Sequence, residues 1–272
     1  MKNNFLKLFI VLSAGYVFLE NKFMLKIRHE FSRKNKNNDI KIAHISDLHK
    51  SRFGENNSRI CRILRWENPD LIFITGDLVS RTENDFSGIK IFLENLKKIA
   101  PVFIIYGNHE QSLPENLHNE FIEIIKNSGI ILLENNCVNL KIRNRNLNIY
   151  GLKENYGVYK NGDNYRNLEK ITPEILKNLL GKSPENKMTI LLAHNPFFAE
   201  AYSEWGADYT FSGHVHGGLI RIFGKGILSP ERKLFPEYSK GIYEIRKMKL
   251  CVSGGLGKFR IFNPPEIVIY RI

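Results

Sequence analysis

Cysteine is scarce. The chain of 272 residues has three, Cys61, Cys137 and Cys251, far apart, with no CxxC pair and no Cys/His finger spacing. That excludes a disulfide framework or a structural zinc finger as the basis of the fold, and reduced, buried thiols are the expectation. Acidic residues are the second shortage. There are 28 Asp and Glu against 40 Lys and Arg, a formal net charge of +12. Such a surplus favours anionic partners: phosphorylated substrates, anionic lipid or nucleic acid. Nucleic acid is the least supported of these, because no aromatic-and-basic repeat accompanies the charge. Internal repeats and long low-complexity tracts are absent. The longest apolar stretch, FLKLFIVLSAGYVFL at 5–19, is shorter than the roughly 20 residues that crossing requires, and tilted or snorkelling flanks, with Phe23, Met24 and Leu25 beyond, would extend it.

No small-x-small cleavage site follows that stretch, which argues against a removed signal peptide. Residues 1–31 therefore read as an apolar membrane anchor or interfacial helix, 32–38 as a polar linker (SRKNKNN), and 39–272 as the main domain. Lys22, Lys26, Arg28, Arg33, Lys34 and Lys36 follow the apolar run, against Lys2 before it and Lys7 near its start. That asymmetry places the main domain on the cytoplasmic side and suits an anionic membrane surface.

The main domain begins with short apolar runs alternating with helical patterns. Strands are expected at 40–46, 71–75 and 102–106, with helices at 58–66, 89–99 and 114–127 between and after them. This is the pattern of parallel strands with crossover helices. The second half is richer in strands: 130–133, 137–143, 147–151, 188–193, 208–212, 241–247, 249–253 and 266–271. One helix, 172–180, interrupts them, with Pro173 in its first turn. Two mixed sheets in a layered α/β fold fit this order better than one parallel sheet.

Ionisable residues gather at the predicted strand ends. Ser46-Asp47-Leu48-His49 follows the first strand, Gly76-Asp77 the second and Gly107-Asn108-His109-Glu110 the third. His194 ends a later strand, and SGHVHGG places His214 and His216 at another. Ligands of open α/β sheets bind beyond the carboxyl ends of strands, so these turns should converge. A single Asp at a strand end is ordinarily a turn or helix cap. The assembled set of imidazoles, carboxylates and one amide is a donor set for borderline divalent metals. The glycines around His214 and His216 allow close backbone approach, so one loop can deliver two ligands.

With these residues in place, the sequence resembles the calcineurin-like metallophosphoesterase superfamily. Asp47-x-His49, Gly76-Asp77, Gly107-Asn108-His109-Glu110, His194 and Gly213-His214-Val215-His216 stand in the family order, from Ile40 onward. Asp-x-His alone is weak; Gly-Asn-His-Glu followed by a distant Gly-His-x-His is highly specific. The N-terminal apolar segment and the late SGGLG…NPPEI stretch look like the bacterial membrane-associated branch that includes UDP-2,3-diacylglucosamine-cleaving members. Many of that branch carry Gln after GHxHGG, where this chain has Leu219; substrate detail therefore does not transfer.

The resemblance implies a four-layer α/β/β/α sandwich and two divalent metal ions (Mn, Fe or Zn). Asp47, His49, Asp77 and His216 would hold one, and Asp77, Asn108, His194 and His214 the other. Two such ions activate water for in-line attack on a phosphoester. The implied activity is a phosphodiesterase or pyrophosphatase acting at the membrane on a lipid-linked or nucleotide-diphosphate substrate. His109 would be the general acid, with Glu110 orienting it. Lys50, Arg52 and Arg260 are candidates for further substrate phosphate contacts. The alternatives are a soluble nucleotide phosphodiesterase or nuclease, and a metal-bound scaffold without activity.

Overall fold

The computed structural model describes residues 2–31, 39–161, 164, 167–229 and 234–272, and the backbone alone of residues 2–6 and 8–10. The expected linker, 32–38, lies outside the described residues.

The elements follow one another as α1 (Lys2–Lys22), β1 (Lys26–Phe31), β2 (Lys41–Ile45), α2 (Ser58–Glu67), β3 (Leu71–Thr75), α3 (Ser87–Lys97), β4 (Val102–Ile105), α4 (Glu115–Asn127) and β5 (Ile131–Leu132). Then come β6 (Asn136–Ile142), β7 (Arg145–Gly151), α5 (Pro173–Leu180), β8 (Met188–Leu192), α6 (Ala199–Trp205) and β9 (Tyr209–Ser212). The chain ends with β10 (Arg221–Ile222), β11 (Lys225–Gly226), β12 (Gly241–Ile245), β13 (Met248–Val252) and β14 (Glu266–Arg271).

Two six-stranded sheets form, ordered β1-β14-β2-β3-β4-β5 and β12-β13-β9-β8-β7-β6, with β10 and β11 as a separate hairpin. Successive side chains of the central strands enter two different cores. In β3, Leu71 and Phe73 enter the core between the sheets, together with Ile149, Ile190 and Phe211 from the second sheet. Ile72 and Ile74 face outward, where Leu64, Phe92 and Phe121 cover them from α2, α3 and α4. On the far side, Leu176 of α5 and Tyr202 and Trp205 of α6 pack with Tyr150, Leu191 and Leu250. Both faces of each sheet are thus buried, which explains why the central strands read as continuous apolar runs. Each such side chain contributes about 1.5–3 kcal/mol by leaving water. The result is the four-layer α/β/β/α sandwich.

Local signals set the helix ends. Thr172 caps α5 by accepting the Ile175 N–H at 3.3 Å, and Pro173 follows at the first turn. Asn68 stops α2 in the left-handed conformation, its N–H donating to Leu64 O.

Three features depart from the sequence expectation. Lys26–Phe31, assigned by sequence to the N-terminal segment, is the edge strand β1, parallel to β14. Helix α6 and the β10–β11 hairpin were not expected. The N-terminal run is helical, but no helix among the described residues is long and apolar enough to cross a membrane. The end of α1 is fastened to the domain. Glu20 is buried and accepts the Phe262 N–H at 2.8 Å. Asn21 donates to Arg260 O at 2.7 Å and accepts from Arg260 N at 2.9 Å.

Candidate metal centre

Each strand that ends at the centre hands over its polar residues just past its last paired position. β2 leads to Asp47 and His49, β3 to Asp77, and β4 to Asn108, His109 and Glu110; β8 leads to His194, and β9 to His214 and His216. All nine side chains are buried. The backbone there is unusual: Asp47, His49, Asp77, His214 and His216 take left-handed φ angles between 50° and 68°. Each costs of order 1–3 kcal/mol, a strain that persists where the surroundings fix it. Here crossed hydrogen bonds do so: Asp47 N donates to Gly76 O, and His49 N to Asp77 O, both at 3.1 Å. Two glycines make the approach possible. A Cβ on Gly107 would land on Asp77 Oδ1, and one on Gly213 on Ser46 Oγ.

Asp77 is the centre. Its Oδ1 accepts the His109 backbone N–H at 2.8 Å. Its Oδ2 faces three imidazoles, with His194 Nε2 at 3.5 Å, His49 Nε2 at 3.7 Å and His109 Nε2 at 3.9 Å. On the other side, His216 Nε2 lies 3.8 Å from Asp47 Oδ1. Asp47 also accepts the His214 backbone N–H at 3.1 Å. The His194 and His214 rings stand 5.0 Å apart.

These spacings are beyond hydrogen-bond length, yet the groups are sealed from water. His49 Nδ1 and Nε2, Asn108 Oδ1, His194 Nε2 and His216 Nδ1 are buried with no hydrogen-bond partner. Unpaired buried polar atoms are costly and rare, and five in one place require an explanation. Ligand atoms of three overlapping groups, Asp47–His49–His216, His49–Asp77–His109 and Asp47–Asp77–His194, lie within 4.8 Å of one another. A mixed nitrogen and oxygen set at this separation fits divalent cations. The oxygen side carries the matching charge in Asp47 and Asp77.

Burial raises the Asp47 carboxyl against the pull of His194, while other groups of the centre shift toward their ligand forms. Burial pushes His49 and His216 well below the ordinary imidazole value, which leaves them neutral, as a ligand must be. Burial opposes charge on His194 too, but the carboxylates of Asp77, Asp47 and Glu154 outweigh it and lift it to about 10. It holds a proton where a cation can replace it. Burial likewise raises Asp77, and His194, His49 and His109 outweigh that and hold it well below the carboxylate range. His194 Nδ1 lies 2.6 Å from Thr75 O, a bond that fixes the ring and aims Nε2 at Asp77.

The remaining candidates fall into different places. His109 Nδ1 accepts the Arg81 backbone N–H at 3.1 Å, so the neutral ring carries its proton on Nε2, toward Asp77 and the centre. Burial, with Lys258 and Arg81 nearby, lowers it to about 4 against the pull of Asp77. Glu110 does not orient His109. Its carboxylate accepts the N–H groups of Gly107 at 2.7 Å, Asp77 at 2.9 Å and Val79 at 3.0 Å, and so ties the β3 and β4 turns together. Lys50 and Arg52 are exposed after His49 and outside the buried group. Arg260 departs from expectation: it is 1% exposed, and its guanidinium donates to Gly254 O and Gly257 O. It braces the 254–263 loop from inside, through the carbonyls of Gly254 and Gly257.

Two residues at the centre escaped the sequence reading. Lys258 Nζ comes within 3.4 Å of His109 Nε2. The hint was its place in the glycine-rich SGGLGKF run, which packs along Asp47 through Gly257 N. Tyr159 lies against His194 and His214, with ring centroids at 5.9 Å and 5.0 Å, and its hydroxyl donates to buried Glu154. Nothing in its local sequence signals this.

The family model of calcineurin-like phosphoesterases matches residues 40–218, a span that contains every motif of the centre. The chain belongs to that family. It is a metal-dependent phosphoester hydrolase. Similar proteins include an uncharacterized metallophosphoesterase of Aquifex aeolicus, 29% identical over 96% of this chain and 97% of its own length. The phosphodiesterase YaeI of Escherichia coli is 26% identical over 97% of this chain and 94% of its own. The UDP-2,3-diacylglucosamine pyrophosphatase LpxG of Chlamydia muridarum is 27% identical over 85% of this chain and 83% of its own. Among solved structures, the sulfate thiohydrolase SoxB of Thermus thermophilus matches with a TM-score of 0.51 at 12% identity, over 88% of this chain and 57% of that one. At that identity the likeness concerns the fold.

Proposed function

We propose that the chain is a two-metal phosphodiesterase or pyrophosphatase whose substrate is a lipid-linked or nucleotide diphosphate met at a membrane surface. The observation that carries the reading is the convergence of three buried imidazoles on Asp77 Oδ2, two of them, His49 and His194, through Nε2 atoms that have no hydrogen-bond partner. Asp47, His49, Asp77 and His216 would hold one cation, and Asp77, Asn108, His194 and His214 the second. Mn, Fe and Zn all suit these donors. When bound, the cations supply Lewis-acid charge for the phosphoryl oxygens and a nucleophilic water.

The chain's own groups do the rest. Asp77 and Asp47 fix the spacing of the positive charge. His109 presents Nε2–H toward the centre and hydrogen-bonds the leaving oxygen as charge develops there, while that oxygen takes its proton from solvent water. Arg81 N–H holds the tautomer that makes this possible. Lys258, beside His109, adds positive charge on the same side. The names of YaeI and LpxG, a phosphodiesterase and a pyrophosphatase, support a bond between phosphorus and a bridging oxygen as the target.

The test is Mn²⁺-dependent hydrolysis by the full chain of bis-p-nitrophenyl phosphate and p-nitrophenyl phosphate. Diester hydrolysis that exceeds monoester hydrolysis, and is abolished in folded Asp77→Asn, is expected. Metal-loaded protein inert on both esters and on nucleotide diphosphates, or an Asp77→Asn variant as active as the parent, would overturn the reading.

A further inference from the structure

Ten of the seventeen exposed large apolar side chains among the described residues lie on three segments: α1 with the turn after it, the β10–β11 hairpin and the 259–262 turn. Scattered singly they would need no explanation; gathered, they do. Val11, Leu12 and Phe18 stand out from α1, Phe223 is fully exposed at the hairpin tip, and Phe259 and Phe262 project from the turn.

The three segments are continuous. Ala14, Val17 and Phe18 of α1 form a cleft of about 730 Å³ with Phe259, Ile261 and Phe262. Tyr16 lies against Phe262, centroids 5.5 Å apart. Phe262 also borders a second cleft, shared with Phe223, Lys26, Arg221 and Lys240. One residue therefore joins the helix side to the hairpin side.

This face is fixed to the metal centre. Asn263 Nδ2 donates to His216 O at 2.6 Å and Gly218 O at 2.8 Å. Arg221 donates to Gly217 O at 2.9 Å. Lys258, next to Phe259, reaches His109. The charge around the face is mainly positive. Lys22, Lys26 and Lys225 are exposed at its edges, and the one acid lining the second cleft, Glu30, is paired with Arg28. Apolar aromatic side chains ringed by lysine are the composition of a surface that sits among anionic headgroups.

We infer that α1, the β10–β11 hairpin and the 259–262 turn form one docking face for an anionic lipid bilayer, which holds the mouth of the metal centre at the bilayer surface. The inference rests on the proposed function for its purpose, while its binding can be read without any turnover. The experiment is co-sedimentation of the full chain with vesicles of phosphatidylcholine, alone or mixed with phosphatidylglycerol. The parent is expected to pellet with the mixed vesicles and to be released by salt. Phe223→Ser combined with Phe259→Ser is expected to lower partitioning by roughly tenfold or more per phenylalanine, since each loses its buried apolar area. Hydrolysis of bis-p-nitrophenyl phosphate by that variant is expected to be unchanged. A parent that stays in solution, or a double variant that partitions like the parent, overturns the inference while leaving the hydrolase reading intact. A concentration-dependent dimer abolished by the same substitutions would assign the face to a second copy and overturn it as well.

Discussion

Two regions of this molecule break the rule of apolar inside and polar outside, in opposite directions. The metal centre buries five polar atoms without partners. The face formed by α1, the hairpin and the 259–262 turn exposes phenylalanines to solvent. Either violation alone would cost stability. Together they show two surfaces built for something other than the folded chain. One is shaped for cations and the other for an apolar partner, and the 254–263 loop connects them. At one end of that loop Gly257 N bonds Asp47 O; at the other, Asn263 holds the backbone of His216.

The sharpest way to separate the two regions is His109→Ala. Loss of the His109 hydrogen bond to the developing charge is expected to lower turnover of the diester by roughly 10²–10³-fold, while vesicle binding stays as in the parent. Equal loss of both would mean that the regions are not separable.

The loop between them is tested by Glu266→Gln. Glu266 is buried at the start of β14, bonded to Arg28 at 3.0 Å and Lys240 at 2.6 Å, and it accepts Gly254 N at 2.9 Å. Burial raises its carboxyl, but Lys240 and Arg28 outweigh that and hold it at about 2, below the ordinary 4.5. Burial outweighs Glu266 on Lys240 itself, which falls to about 8; Arg28 is the firmer partner at neutral pH. Removing the charge leaves Arg28 and Lys240, both part-buried, without this carboxylate and is expected to cost about 1–3 kcal/mol of stability at pH 7. The sign follows from the lowered carboxyl. Its contribution is complete above about 4.5 and is lost as the pH falls through about 2, so the gap between parent and variant should close over that interval in acid unfolding. A gap unchanged at pH 2 would contradict the pairing.

A smaller effect is expected for Glu110→Gln. The amide cannot accept three N–H groups as the carboxylate does, so the turns carrying Asp77 and Gly107 should loosen. Mn²⁺ affinity should fall roughly 10–100-fold, with little change in turnover at saturating metal. Turnover that falls while Mn²⁺ affinity holds would return Glu110 to the orienting role that its position beside His109 suggests.

That contrast shows where sequence reading reaches and where it stops. The strands and their polar ends were legible because buried strands read as apolar runs and the ionisable residues fall directly after them. The family motifs then identified the fold. Strand β1 was missed because KIRHEF adjoins an apolar helix and its partner, β14, lies at the other end of the chain. Glu110 looked like a partner for His109 because they are neighbours; the N–H groups that it accepts belong to a fold not written locally. Arg260 looked like a phosphate ligand because it is a cation near a glycine run. Its burial is set by α1 and the 254–263 loop meeting at Asn21, a contact that no local pattern encodes.

The most direct test of the central claim is the metal content of the full chain. Protein freed of metal by chelation, reloaded with Mn²⁺ and passed through a desalting column should retain about two ions per chain, as a two-metal site requires. Asp77→Asn should retain fewer while remaining folded by circular dichroism. A parent that keeps none, or reaches full diester activity with one, would contradict the account of Asp77 as the shared ligand.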